Sequence, residues 1–115
     1  MLKVAREKDH YRVELFQVNR LNTLFSELVN RQLTELLEVR GTRVLFNLDG
    51  VKFIDSEGFQ VLVKATETAK RCGSEFLICN INEEIRELIN LLELESNFSF
   101  YNFENSREKI LPVLD

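Results

Sequence analysis

The run Asp55-Ser56-Glu57-Gly58 sets one hydroxyl between two carboxylates. It follows the apolar residues Val51, Phe53 and Ile54 and opens a stretch with helical periodicity. A hydroxyl at a helix start lies near backbone N–H groups that lack intrahelical partners, and the helix dipole there favours negative charge. A phosphate on Ser56 would find that setting and would bring about 1.5 to 2 negative charges with it. The helix end would favour the added charge, and Asp55 and Glu57 would oppose it. A partner surface matched to a neutral serine would then be repelled. The same residues also have a plainer reading. Asp or Ser at a helix start is ordinary capping, and Gly58 would permit close packing of a helix on a sheet. On the residues alone, both readings stand.

Other candidate chemistry is sparse. Cys72 and Cys79 are the two cysteines, and they lack the spacing of a Cys-x-x-Cys pair; His10 is the single histidine. Such a scattered set makes a poor metal site. The cysteines read as reduced thiols that pack as small hydrophobes in a cytosolic protein. The sequence has no glycine-rich phosphate loop and no Cys–His or Ser–His pairing. Asp55 and Glu57 diverge by about 100° per residue at a helix start, so they do not form a general acid/base pair. The expectation is a binding protein, not an enzyme, with no cofactor and no metal.

Composition sets the class. With 115 residues the chain fits one domain over 1–115. Apolar residues are 44% of it, nine of them Phe, so a core can form without disulfides or a structural metal. Charged residues make up 30% and the formal net charge is -4, which leaves no basic stripe to neutralise a row of phosphates. Nucleic acid is therefore not an expected partner. Apolar runs such as Phe76-Leu77-Ile78-Cys79 are too short to cross a bilayer, so no membrane insertion is expected. The first nine residues are charged throughout and do not read as a signal peptide, which points to the cytoplasm.

The elements that must position Ser56 follow from periodicity. Tyr11, Val13 and Leu15 alternate with Arg12, Glu14 and Phe16 and predict a strand, with an earlier strand around Leu2–Val4 pairing as a hairpin. From Leu21 to Leu37 apolar residues recur at three- and four-residue steps, a helix started by Asn22 or Thr23 and ended by Gly41. Arg43 to Leu48 reads as a strand buried on both faces. Asp49-Gly50 reads as a kink or bulge within that strand, which then ends at Phe53-Ile54. A helix from Ser56 to Arg71 closes at Gly73, and Glu75–Cys79 is the next strand. A helix from Glu83 to Leu92 carries Ile85, Leu88, Ile89 and Leu92 on one face. A strand from Phe98 to Phe103 and a helix from Asn105 to Leu114, shortened or kinked by Pro112, complete the pattern. Such alternation predicts an α/β domain: a mixed, mostly parallel sheet with an antiparallel N-terminal hairpin and about four helices. The carboxyl ends of parallel strands are where functional groups collect, and that is where Ser56 falls.

The segment from Val44 to Phe59, with Asp55-Ser56-Glu57-Gly58 inside it, resembles the central part of STAS domains, in which a strand and short turn lead into an Asp-Ser-Ser/Thr-Gly signature and a helix. The likeness continues through Arg71 to Ile81 and into the leucine-rich run Leu88 to Leu94, and covers most of the chain from about Tyr11 onward. The chain is therefore identified as a STAS domain similar to the anti-sigma-factor antagonists. In that branch the serine after the aspartate is phosphorylated by an anti-sigma factor that is itself a serine protein kinase. The unphosphorylated form binds the kinase and frees the sigma factor, so that transcription is regulated by partner exchange. The resemblance implies that Ser56 is the phosphoacceptor and that Asp55, Ser56, Glu57, Gly58 and Asn22 belong to the partner-binding surface. Two positions depart from the pattern. Glu57 replaces a Ser or Thr and partly imitates an added charge. Asn22 stands where the preceding loop often carries an acid facing the phosphorylation site.

Two other readings compete. A STAS domain that is never phosphorylated could serve as a scaffold or subunit of a signalling or transport assembly, and Glu57 and Asn22 favour this. A phospho-aspartate receiver domain has a similar length and places an acceptor Asp where Asp55 lies. It also needs carboxylates after the first strand to hold a divalent cation, where this chain has Asn19 and Asn22, and a lysine close after the last strand, whereas no lysine lies near Phe98 to Phe103. Nothing in the sequence ranks a surface for self-association.

Overall fold

The computed structural model describes residues 2–16 and 18–101. In chain order the elements are strands β1 (Leu2–Arg6), β2 (Tyr11–Leu15) and β3 (Arg20–Leu21), helix α1 (Thr23–Leu37), strands β4 (Arg43–Asn47) and β5 (Phe53–Ile54), helix α2 (Ser56–Cys72), strand β6 (Glu75–Cys79), helix α3 (Glu83–Leu91) and strand β7 (Phe100–Tyr101). The five-stranded main sheet runs β1-β2-β4-β6-β7, with β3 and β5 in a separate two-stranded ladder. Only the β1–β2 pairing is antiparallel, its hairpin in register from Leu2↔Leu15 to Arg6↔Tyr11. The remaining pairings are parallel, as the crossovers through α1, α2 and α3 require. The expected mixed, mostly parallel sheet with an antiparallel N-terminal edge is the observed one, with three helices among the described residues.

Alternation along the strands decides what each sheet face buries. Val13, Leu15, Val44, Phe46, Phe76 and Ile78 point to one face and meet the buried stripes of the three helices, among them Val29, Leu33, Leu62, Ala65, Ile85 and Ile89. Fully burying side chains of this size stabilises the fold by about 1.5–3 kcal/mol each. Leu45, Cys79 and Tyr101 form a smaller cluster apart from that core, with Leu77 packed against it. Leu45 alternates with Val44 and Phe46 and so projects from the other face of the sheet. Val44, Leu45 and Phe46 are thus all buried in succession, the pattern of a central parallel strand.

Four sequence expectations are corrected. Asp49-Gly50 does not sit within a strand, and the central strand does not end at Phe53-Ile54. It ends at Asn47, where the Asn47 side-chain oxygen accepts the Asp49 N–H at 2.9 Å and the Val51 N–H reaches the Leu48 carbonyl at 3.0 Å. That turn, completed by Gly50 at φ +85°, carries the chain off the main sheet and into β5. Leu21 belongs to β3, not to the helix, and pairs with Ile54. Gly41 does not cap α1; the helix stops at Leu37 with Glu38 in right-handed geometry, and Gly41 makes its positive-φ turn three residues later. Leu88 and Leu92 do not share the buried face of α3, where only Ile85 and Ile89 are buried. Other expectations hold: Asn22 caps α1, and Gly73 closes α2 in left-handed geometry. The last strand is described at Phe100–Tyr101, within the expected Phe98 to Phe103. The expected helix from Asn105 to Leu114, with Pro112, lies outside the described residues.

Candidate functional site

Strands β3 and β5 are only two residues each, yet they set the site. They run parallel with Arg20↔Phe53 and Leu21↔Ile54 in register, and each passes through a single cap residue into a helix. Asn22 starts α1 and Asp55 starts α2, both in extended backbone geometry. Two helix N-termini therefore open side by side.

Asp55 joins them. One carboxylate oxygen accepts the Gly58 N–H at 2.9 Å and caps its own helix. The other accepts from Thr23 of the neighbouring helix, from the backbone N–H at 3.2 Å and from the hydroxyl at 3.3 Å. The Asp55 N–H donates to the Leu21 carbonyl at 3.2 Å, and its own carbonyl accepts the Phe59 N–H at 2.9 Å. The Gly58 N–H, with further help from Thr23 and Glu57, holds the Asp55 carboxyl below its ordinary value against a smaller opposing effect of desolvation. The carboxylate is thus committed to structure as an anion.

Ser56 and Glu57 occupy the first two positions of α2 and are exposed. Gly58 behind them is buried, and a Cβ there would collide with the Leu21 carbonyl and come within 2.7 Å of the Ile54 Cγ2 atom. Only glycine lets the first turn of α2 lie this close to β3. Asn22, half-buried, directs its side-chain oxygen to the Leu24 N–H at 3.1 Å. The structure thus brings Asp55 and Gly58 into direct contact with the β3–α1 junction. It sets Ser56 and Glu57 on the rim of that junction and gives Asn22 a capping bond within its own helix.

Several neighbours were not anticipated. Thr23, in the sequence no more than a cap candidate, is the residue that ties α1 to Asp55. Leu24 is 82% exposed, Phe53 58% and Leu91 78%. A groove of about 250 Å³ between α1 and α2 is lined by Thr23, Glu27, Glu57 and Lys64 among others. A second, of about 400 Å³, lies between β5 and α3, with Phe53, Ile54, Leu88 and Leu91 in its walls. The site is an exposed rim of serine and acid with a polar groove between α1 and α2 and a more apolar one between β5 and α3, a form suited to holding a protein surface.

The other candidate groups lie elsewhere. His10 bonds Asp9 at 3.1 Å, and Arg43 pairs with Asp9 and Glu75. This cluster joins the β1–β2 turn to the first residues of β4 and β6, the end of the sheet opposite the carboxyl side where α2 begins. Burial pushes the Cys79 thiol up to about 12, so it is inert at neutral pH. Among the described residues no three His, Cys, Asp or Glu side chains group closely enough to hold a metal ion. Among the same residues no helix is long and apolar enough to cross a membrane.

Comparison with known proteins gives the site a family context. The model of the STAS domain matches residues 6–110. An anti-sigma-factor antagonist (STAS) domain protein from Planctomyces limnophilus superposes with a TM-score of 0.77 at 18% identity, over 88% of this chain and 89% of that one. The phosphorylated form of the Bacillus cell fate determinant SpoIIAA superposes with a TM-score of 0.68 at 12% identity, over 96% and 99%. A murine solute carrier 26 family member A9 anion transporter contains a similar unit, with a TM-score of 0.66 at 17% identity; the match covers 85% of this chain and 17% of the transporter. At these identities the likeness is one of fold.

Proposed function

The chain belongs to the STAS domain family, and from that premise we propose that it is an anti-sigma-factor antagonist acting as a single domain over 1–115. In this reading it binds a kinase-type anti-sigma factor in the cytoplasm and releases it when Ser56 is phosphorylated. The observation that carries the reading is the exposed Ser56 at the first position of α2, next to a carboxylate already fixed by two helix starts. Because Asp55 is bonded to both Gly58 and Thr23, the Ser56 hydroxyl is presented on a rim tied to both helix starts. Partner contacts would fall on the exposed Asp55, Ser56 and Glu57, with the buried Gly58 setting the close seat of the first turn and Asn22 supporting it by capping α1. A phosphate on Ser56 would place about two further negative charges beside Asp55 and Glu57. A partner face matched to the neutral rim would lose affinity through like-charge contact and desolvation. The domain itself supplies no catalysis in this scheme; the kinase does.

A second reading is favoured by one specific observation. Glu57 already puts a carboxylate on the rim, and Asn22 is committed to the Leu24 N–H. A constitutive STAS subunit of a larger assembly would have the same surface and never be phosphorylated.

The test is to mix the protein with the kinase-type anti-sigma factors of its own genome and ATP. Intact-mass spectrometry should then find the mass of one phosphoryl group added to wild type and not to Ser56→Ala. Ser56→Asp should bind the partner at least about tenfold more weakly than Ser56→Ala. The switch is wrong if no such kinase modifies the protein and the two variants bind equally. Tight binding without modification would favour the constitutive subunit.

A further inference from the structure

Helix α3 carries apolar residues on two faces, and the core uses one of them. Ile85 and Ile89 are buried against the sheet. Glu84, Glu87, Leu88 and Leu91, at the i, i+3, i+4 and i+7 positions of another face, line the groove between α3 and β5. Leu88 is 38% exposed and Leu91 78%, and Phe53 on the opposite wall is 58% exposed. Large apolar side chains converging on one concave surface mark an interaction site more than scattered exposed residues do.

Charge and length say what fits. The groove is edged along α3 by two carboxylates, Glu84 and Glu87, and along β5 by the single ammonium of Lys52. Arg20 lies over Phe53, so positive charge gathers with Lys52 on the β5 wall, while Arg86 lies over Phe100; the α3 edge stays acidic. Helix α3 has nine residues, so its wall is about 13 Å long, room for two to three turns of a second helix. We propose that this groove receives an amphipathic helix of a partner protein. The partner helix presents apolar residues at i, i+4 and i+7 and has Lys or Arg along the edge that meets Glu84 and Glu87. The groove wall continues through Ile54 directly into Asp55 and Ser56, so a helix seated there adjoins the phosphoacceptor rim. The docking itself does not depend on phosphorylation of Ser56.

The full chain can be titrated with a labelled three-turn synthetic peptide carrying leucines at i, i+4 and i+7 and lysines on one flank. A twin with glutamates in place of the lysines serves as the control. Fluorescence anisotropy should show the lysine peptide binding at least about tenfold more tightly than its twin. Amide shift changes should centre on Phe53, Leu88 and Leu91. Leu91→Glu should weaken binding at least about tenfold, and the double variant E84K/E87K should reverse the preference between peptides. Circular dichroism verifies that these surface variants stay folded. Ser56→Ala should bind the peptide as wild type does, so failure of the phosphorylation switch and failure of the groove give different results. Binding by neither peptide, equal binding by both, or shifts centred on the groove between α1 and α2 would overturn the proposal. So would groove signals that move with protein concentration alone, since the occupant would then be a second copy of the chain.

Discussion

Asp55 takes part in two helices at once, so its charge state should govern the stability of the whole junction. Its hydrogen bonds from Gly58 and Thr23 lower its folded-state pKa below the ordinary value of 3.8. A carboxyl with a depressed folded pKa contributes stability above its unfolded value, and that contribution is lost as pH falls through the folded value. Wild type should therefore have a higher urea midpoint than Asp55→Asn near neutral pH, and the gap should close as pH drops below about 4. A gap that does not change with pH would mean the carboxylate charge is not what holds Thr23. Gly58 makes the complementary steric prediction. Replacing an ordinary mid-helix glycine with alanine gains about 0.5–1 kcal/mol. Here the new Cβ meets the Leu21 carbonyl, which is backbone and cannot swing aside. Gly58→Ala should instead cost about 1–3 kcal/mol, as overpacking does, measured by urea unfolding.

At the scale of elements, the sheet and helices follow from periodicity because burial enforces it. Val13 and Leu15 had to share a face, and the succession Val44, Leu45, Phe46 had to be central. The site was legible in part. Asp55 as a cap and Gly58 as a close-packing residue follow from residue type at a strand-to-helix boundary. The β3–β5 ladder was not legible, because two residues are too few to show a period and Leu21 also fits the helical step of α1. Asp49-Gly50 was ambiguous for a related reason: a turn signal between two apolar stretches does not say whether the second rejoins the same sheet. The surplus of leucines in α3 was the missed clue, since Leu88, Ile89, Leu91 and Leu92 cannot all face one core. The short ladder has a dynamic consequence. Segments with few buried contacts and exposed backbone open at low free energy. The Lys52 and Phe53 amides, both donating to the Asn19 carbonyl at the edge of that ladder, should exchange with solvent much faster than the β4 amides. Hydrogen-exchange NMR at the two strands checks this. Equal protection would show that the junction is as rigid as the sheet beneath it.

Across the whole molecule, the two ends of the sheet do different work. At one end Arg43 bridges Asp9 of the hairpin turn and Glu75 at the start of β6, with His10 beside Asp9. These groups tie three consecutive segments of the sheet to one another. At the other end the paired helix starts leave Ser56 and Glu57 exposed, with Phe53 exposed beside them. Surface ion pairs contribute little singly, so Glu75→Gln should cost no more than about 1 kcal/mol. Arg43→Leu should lower the urea midpoint further, because it leaves the Asp9 carboxylate without the cation that helps hold it below its ordinary value against desolvation. Neither change should alter recognition at the far end by more than about twofold, since sites without shared partners act nearly additively. The measurement pairs urea unfolding with titration by the lysine-flanked peptide. A loss of peptide affinity that tracks the loss of stability would mean that the two ends are coupled through the sheet. Unchanged affinity in a destabilised domain would place recognition in the α2 rim and the α3 groove alone.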